Sequence, residues 1–154
     1  MVRVVAVFEK VPAMRILFVL FVLVGLSAPA AADALRDFGL GEAAMDRRDF
    51  KAAVDAYTRA IDSGDIFSNQ VLSQAHFNRG RSYFQLREFD RAIADYDAFI
   101  KLRPNYAGGY YNRFVAYEEK GEGKQALDDL KTAHRLAPEH PRIQAKMRDH
   151  GLLD

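Results

Sequence analysis

Histidines and serines are the side chains of this chain that could act as metal ligands, general bases or nucleophiles. His76, His134, His140 and His150 include no pair spaced four residues apart, the spacing that places two metal ligands on one helix face. The serines have no histidine and aspartate at a recognisable spacing, and there is no glycine-rich phosphate-binding loop. We therefore predict no catalytic residue, no metal and no cofactor, and we predict that the protein is not an enzyme.

Carboxylates are dense in the segment DRAIADYD, which holds Asp90, Asp95 and Asp97. Paired carboxylates act as general acid and base when their surroundings move their pKa values apart. Arginine and lysine residues flank this segment, so the sequence favours solvent-exposed helix faces over a catalytic pair.

The N-terminal region has the order of segments that is typical of a secretory signal peptide. Arg15 precedes an apolar run of 11 residues, Ile16–Leu26, and small residues follow as far as Ala32. The run is shorter than the ~20 apolar residues that a membrane-spanning helix needs. We predict a signal peptide over residues 1–32 that is cleaved near Ala32. Met14 is a second candidate for the first residue of the protein. The alternative to cleavage is that the segment remains as a membrane anchor.

Composition limits the partners of an exported chain. The 154 residues include no cysteine, so the protein has no disulfide. Removal of residues 1–32 leaves 19 basic and 20 acidic residues, a net charge of −1. Nucleic-acid binding needs a dense basic face, so we predict no nucleic-acid partner. We predict export to the bacterial periplasm or secretion, with membrane contact only through an uncleaved signal segment.

In the second half of the chain the same residue spacing occurs twice, at an interval of 34 residues. A weaker copy precedes them, with Gly41 standing 39 residues before Gly80 and the five extra residues expected in the connection 64–72. A fixed period of this length predicts stacked units, none of which can bury its apolar face alone. The matching pairs include Asn78/Asn112, Arg79/Arg113, Tyr83/Tyr117, Ala92/Ala126 and Pro104/Pro138.

Each unit is predicted to form two antiparallel helices. In the second unit Phe77, Gly80 and Phe84 recur at steps of three and four residues, the period of one helix face. Gly80 is expected where the paired helices approach most closely, because a larger side chain would push them apart. Pro104 closes the unit, since proline cannot continue a helix interior.

This small–large spacing resembles the tetratricopeptide repeat, most clearly at Gly80, Tyr83, Ala92, Tyr96 and Pro104. The resemblance implies an all-α fold, a right-handed superhelical α-solenoid of antiparallel helix pairs. It implies repeats over residues 34–67, 73–106 and 107–140, followed by a capping helix over residues 141–154.

The third unit departs from the pattern. Phe114 stands where glycine is usual, and Gly123 replaces the usual aromatic residue, which predicts a looser turn there. Beyond it, Leu152 and Leu153 complete the capping helix or, alternatively, form a tail that binds a partner.

The resemblance also implies a concave groove lined by the first helix of each unit. Leu35, Met45 and Gly108 hold some of the groove positions. The candidate residues for partner binding are Phe38, Glu42, Gln74, Phe77, Asn78, Arg81, Phe84, Tyr111, Asn112, Val115 and Glu118.

Three of these candidates, Phe38, Phe77 and Tyr111, form a predicted aromatic ladder with one residue in each unit. Exposed aromatic rings give a large contact area at low entropy cost, which suits peptide binding. The alternative is that they pack against neighbouring helices. Glu42 would repel a carboxylate and Gly108 carries no charge, so a clamp for a terminal carboxylate is not expected.

Polar residues next to the ladder have two predicted roles. The amides of Asn78 and Asn112, near the groove edge, could hold the backbone of an extended ligand through paired hydrogen bonds. Arg79 and Arg113 are predicted to form salt bridges between neighbouring helices, with ligand contact as the alternative.

The resulting hypothesis is an exported protein-interaction module that binds a peptide segment or partner protein in the groove and so assembles or scaffolds an envelope complex. One alternative is a homo-oligomeric or membrane-tethered spacer. The other is a non-catalytic accessory subunit of an enzyme.

Overall fold

The computed structural model describes residues 29–64 and 68–154, which form seven α-helices and no strand. Residues 1–28, which hold most of the predicted signal peptide, lie outside this described part. The all-α prediction is confirmed. The helices are α1 Pro29–Asp46, α2 Phe50–Asp62, α3 Asn69–Gln85, α4 Phe89–Leu102, α5 Ala107–Lys120, α6 Gly123–Leu136 and α7 Pro141–Asp149.

The first six helices form three pairs, here called units one (α1, α2), two (α3, α4) and three (α5, α6). The most extensive contacts lie within each pair, and α2 also packs on α3, α4 on α5 and α6 on α7. The first helices contact each other too, α1 with α3 and α3 with α5, so they form one side of the stack. Among the described helices, none is long and apolar enough to cross a membrane.

The connection between units one and two differs from the prediction. Extra residues were expected to lengthen the connection over 64–72, but α3 begins at Asn69 and takes up four of these positions. The hydroxyl of Ser68 accepts a hydrogen bond from the Val71 amide at 3.4 Å, which satisfies one free N–H of the first turn. Part of the insertion therefore extends a helix.

The turn inside each unit has the same hydrogen bonds in all three units. In unit three the Gly121 and Glu122 amides donate to the carbonyls of Glu118 and Tyr117 at 2.9 Å each, which is the Schellman arrangement. Gly121 supplies the required left-handed backbone at φ 76°. The prediction of a looser turn is therefore wrong. Units one and two place Arg48 and Arg87 in this conformation, at φ 59° and 61°.

Complementary side-chain volumes set the spacing of the paired helices. A methyl group on Gly80 would approach the Tyr96 ring to 2.9 Å, and one on Gly41 would approach Tyr57 to 2.6 Å. The predicted close approach at Gly80 is confirmed. In unit three the larger ring lies on the first helix instead of the second. Buried Phe114 stands at the glycine position, and buried Leu130 stands at the tyrosine position.

The contact between units two and three uses residues of different size from those between units one and two. Phe99 fills the space beside Gly109, whose Cβ position lies 2.7 Å from the Phe99 ring. The corresponding residues between units one and two are Ala60 and Ala75, both fully buried. A large ring opposite a glycine thus replaces two alanines, and the helices remain packed.

Two arginines bind buried carboxylates and join neighbouring units. Arg79 donates to both oxygens of Asp95 at 2.7 and 2.8 Å, and to the Thr58 hydroxyl of the preceding unit at 3.1 Å. Arg113 repeats the arrangement with Asp129 at 2.7 Å. The predicted salt bridges are confirmed. The expectation that Asp95 is exposed is wrong, since it is 4 % exposed and also contacts His76 at 2.9 Å.

The last helix closes the stack at the predicted place. Ile143 and Met147 of α7 are buried against Phe114 and Leu130, and Leu152 packs on the same cluster. Gly151, at φ 65°, ends the helix, and the Leu152 amide donates to the Met147 carbonyl at 2.8 Å. The leucines after α7 therefore contribute to the core of unit three.

Candidate partner-binding groove

A pocket of about 380 Å3 lies on the side of the stack that the first helices form. Met45 of α1, Arg81 and Phe84 of α3, and Asn112 of α5 contribute to its wall. The repeat pattern implied groove positions at the first three of these residues and placed Asn112 near the groove edge. The structure therefore brings together predicted residues that lie up to 67 positions apart in the chain. Arg48, Phe50, Gln85 and Tyr96 complete the lining.

Two pocket residues, Arg48 and Phe50, come from the connection between α1 and α2 and the start of α2. Arg48 takes part in the turn between α1 and α2, and Phe50 begins α2 directly after the N-cap Asp49. The Asp49 carboxylate accepts the Ala52 amide at 3.1 Å and holds the start of that helix. Arg48, Phe50 and Gln85 were not among the predicted site residues, although the matching of Arg48 to Arg87 could have identified that turn.

In unit one, the structure places the two candidate residues differently. Phe38 is half-buried, with its ring centroid 5.7 Å from that of Tyr57 in an edge-to-face arrangement. Glu42 is exposed. The Tyr57 hydroxyl beneath them is buried and makes no hydrogen bond of good geometry within the described residues. Burial raises the pKa of Tyr57 to about 12, and the nearby Asn78 amide opposes that shift.

In unit two, Phe77 belongs to an aromatic cluster and is half-buried. Its ring centroid lies 4.7 Å from that of Phe99, 6.1 Å from that of Tyr96 and 6.3 Å from that of Tyr106. Tyr106, which is 53 % exposed, partly covers the ring. Phe77 therefore supports the fold as well as reaching the surface, and its removal would open a cavity.

Asn78 is less accessible than the sequence suggested. It is 8 % exposed, and its Oδ1 accepts a hydrogen bond from the exposed Gln74 at 3.2 Å. Asn112 is more open: its Nδ2 donates to the Gly108 carbonyl at 2.7 Å, so its Oδ1 can accept from a ligand amide. Of the two amides, Asn112 is the more accessible one.

In unit three, the closing helix takes up much of the groove face. Tyr111 and Val115 are half-buried and pack on the cluster that contains Met147 of α7. Glu118 contacts Lys146 at 3.1 Å and His150 at 2.9 Å. The accessible part of the groove is therefore centred on units one and two.

Two exposed arginines line the open part of the groove. Arg81 and Arg48 are exposed, and neither forms an ion pair with any carboxylate in residues 29–64 and 68–154. Arg81 lies near enough to Tyr57 and Tyr96 to oppose the rise that burial causes in both hydroxyl pKa values. The pocket thus combines apolar walls, two guanidinium groups and two amides.

Metal binding has no assembled site in the part of the chain that the structure describes. No group of three or more histidine or carboxylate side chains there could hold a metal ion. His76, Asp95 and Arg79 form a cluster within unit two, and Arg79 also donates to Thr58 of unit one.

Comparisons with known proteins agree with this architecture. The serine/threonine-protein phosphatase T of Trypanosoma brucei brucei is 34 % identical over 111 residues, which cover 70 % of this chain and 22 % of that protein. This chain thus spans about a fifth of the length of that relative. The crystal structure of MamA aligns with a TM-score of 0.62 at 28 % identity, over 71 % of this chain and 57 % of that one.

A third comparison concerns a structure with a ligand. The first tetratricopeptide domain of Spaghetti (RPAP3), solved with the HSP90 peptide SRMEEVD, aligns with a TM-score of 0.68 at 22 % identity, covering 77 % of this chain and 90 % of that one. The family model described as tetratricopeptide repeat matches residues 38–107 and again 77–141, and these ranges include all of units two and three. The helix pairs, the small–large packing and this match together show that the chain belongs to the tetratricopeptide repeat family.

Proposed function

We propose that the protein binds an extended segment of a partner protein in the groove formed by α1, α3 and α5. The observation that carries this proposal is the convergence of Met45, Arg81, Phe84 and Asn112 from three helices on one open pocket. Apolar walls with a few polar groups suit a peptide, because the walls supply contact area and the polar groups fix its register. The peptide held by the Spaghetti (RPAP3) domain supports the use of this fold for such binding.

We also propose that the protein acts after export, at the bacterial envelope, where it assembles or scaffolds a complex. The support is the sequence of residues 1–32, with its basic residue, apolar run and small-residue end. Intact mass of the protein recovered from cell fractions tests this. An envelope species that begins near Asp33 supports export, whereas an uncleaved species confined to the cytoplasm contradicts it.

Photo-crosslinking tests the groove itself. A photoreactive amino acid is placed at Gln74 or Phe84, on the groove side of α3, and at Ala94 on α4 as the control. Gln74 and Ala94 are both exposed, so neither substitution removes a core contact. We expect crosslinks to the same partner from Gln74 and Phe84 and none from Ala94. Crosslinks from Ala94 alone would contradict the groove as the binding surface.

Self-association is a second candidate function, and one observation favours it. Leu40 of α1 is 48 % exposed, and it stands at the place that Arg79 and Arg113 hold in the next two units. Both arginines reach back to the preceding unit, so Leu40 lies on the face where another helix would pack. Molar mass by light scattering tests this candidate: a dimer that Leu40→Glu dissociates supports it, and a monomer excludes it.

A further inference from the structure

The pocket between units one and two has an unbalanced charge. Its lining includes Arg48 and Arg81 but no aspartate or glutamate, and its other polar side chains are Gln85, Asn112 and Tyr96. A second pocket, on the opposite side of α3, contrasts with it: there Arg79 and Arg91 are accompanied by Asp55 and Asp95. The groove pocket thus has arginines without the carboxylates that accompany the arginines on the other side of α3.

Comparison of the units shows that a carboxylate beside the turn arginine in one unit is absent from the equivalent position in the pocket. Arg87 of unit two is equivalent to Arg48, and its guanidinium lies 3.6 Å from Glu119 of unit three. The residue of unit two that is equivalent to Glu119 is Gln85, 34 positions earlier. Gln85 lines the pocket together with Arg48. A neutral amide thus replaces the acidic partner, and Arg48 has no ion pair within the described residues.

The backbone at Arg48 would suit glycine better than arginine. Its φ of 59° lies in the left-handed region, which has a free-energy cost for a residue with a side chain relative to glycine. Unit three avoids that cost with Gly121 at the equivalent position. Arg87 of unit two has the same conformation at φ 61°, so what distinguishes Arg48 is its place in the pocket rather than its backbone. Arginine at this position carries a positive charge to the pocket, where glycine would give the same turn without one.

We propose that this pocket binds the side-chain carboxylate of an acidic residue within the partner segment, held between Arg48 and Arg81. The inference depends on the proposed function, since it specifies the chemistry of a segment bound in the same groove. Two guanidinium groups can form charge-assisted hydrogen bonds with the carboxylate, and Asn112 can accept from the neighbouring backbone amide. Phe50 and Phe84 provide apolar surface for an adjacent side chain.

Glu42 limits where acidic residues can occur in the bound segment. It is exposed on α1 at the position equivalent to Arg81, one unit earlier. A carboxylate bound at Arg81 would be repelled if it moved toward Glu42. The acidic residue is therefore expected to occupy one fixed place in the segment, without a run of acidic neighbours on the unit-one side.

Selection from a displayed library of random 12-residue peptides tests this inference with the full-length protein. We expect the enriched peptides to share an aspartate or glutamate at one position. A synthetic copy of the most enriched peptide and its Glu→Gln or Asp→Asn analogue are then titrated. The analogue should bind roughly 10- to 100-fold more weakly, the usual effect of losing a hydrogen-bonded charge.

Variants assign the effect to the pocket. Arg81→Gln and Arg48→Gln should each weaken the acidic peptide by a similar factor, while the neutral analogue binds them as it binds the wild type. Arg135→Gln on α6, also an exposed arginine, is the matched control and should change neither affinity. Thermal unfolding of each variant reports whether it folds.

Three outcomes overturn the inference in distinguishable ways. Enriched peptides without a shared acidic position would contradict it and leave the proposed function standing. Failure to enrich any peptide would contradict the proposed function, and the inference with it. A single-stranded oligonucleotide that binds more tightly than the acidic peptide, and loses that affinity in Arg81→Gln, would assign the pocket to nucleic acid instead.

Discussion

The guanidinium of Arg113 lies against the buried carboxylate of Asp129, with Nε and Nη2 each 2.7 Å from one of its oxygens. The remaining terminal nitrogen bonds Asp97 of the preceding unit. Arg113 thus joins α4, α5 and α6, and the same geometry recurs 34 residues earlier at Arg79. A groove between units can keep its shape only if such contacts fix the position of each first helix.

Replacement of Asp129 should therefore weaken the stack. Asp129→Asn leaves Arg113 without its two-oxygen partner in a site where Asp129 is 6 % exposed, so we expect the free energy of unfolding to fall by about 3 kcal/mol. Urea unfolding followed by circular dichroism measures the change. Asp128→Asn, the exposed neighbour, should stay within about 0.5 kcal/mol of the wild type. Equal small effects would show that the ion pair does not join the helices.

Helix spacing in unit two should be sensitive to one methyl group. Gly80→Ala forces carbon atoms to within 2.9 Å of the Tyr96 ring, and such overpacking costs about 1–3 kcal/mol. Gly39→Ala, in α1 with no atom near its Cβ position, should instead stabilise by up to about 1 kcal/mol. Chemical denaturation of both variants separates the steric effect from helix propensity. Equal stabilisation in both would contradict the close contact.

Tyr57 should make stability fall at alkaline pH. Its folded-state pKa of about 12 lies above the ordinary value of 10.0, so the unfolded chain loses the proton first. Its contribution is therefore complete below pH 10 and is lost as the pH rises toward 12. Tyr57→Phe should reduce the slope of stability against pH in that range.

The same substitution also tests the unpaired hydroxyl at neutral pH. Because the Tyr57 oxygen is buried without a hydrogen bond of good geometry, its removal should leave stability unchanged or raise it by up to about 1 kcal/mol. Calorimetry at pH 7 measures this. A clear loss of stability would mean that the hydroxyl has a partner of real strength, such as Asn78.

The turn at Arg48 should show opposite effects on stability and binding. Arg48→Gly relieves the left-handed backbone and should raise stability by about 1 kcal/mol, while it weakens the acidic peptide. Gly121→Ala is the reciprocal change at the equivalent turn and should lower stability by about 1 kcal/mol. Urea unfolding and peptide titration on the same samples check both parts. Arg48→Gly with unchanged affinity would remove Arg48 from the site.

Much of the fold follows from local pattern. The 34-residue period predicts one pair of helices per repeat. The predicted close contact at Gly80 is present, against the ring of Tyr96. Part of the pocket lining also follows, since the repeat pattern implied groove positions at Met45, Arg81 and Phe84 and placed Asn112 near the groove edge. These features depend on residues within one unit or on simple repetition.

Two of the features that sequence did not reveal depend on contacts between residues of different elements. The burial of Asp95 results from Arg79 and His76 on another helix, and a charged residue alone gives no sign of it. The packing of Phe77 depends on Tyr106 from the next connection. The turn of unit three is normal because Gly121 supplies the left-handed residue, two positions before the Gly123 substitution that predicted a looser turn.

Amide chemical-shift mapping of the ¹⁵N-labelled protein, titrated with the most enriched peptide, tests the central claim most directly. If the groove between the first helices binds the partner segment, the largest changes will lie at Arg81, Phe84, Gln85 and Asn112. Changes confined to Arg91 and Ala94, on the opposite side of unit two, would contradict that account.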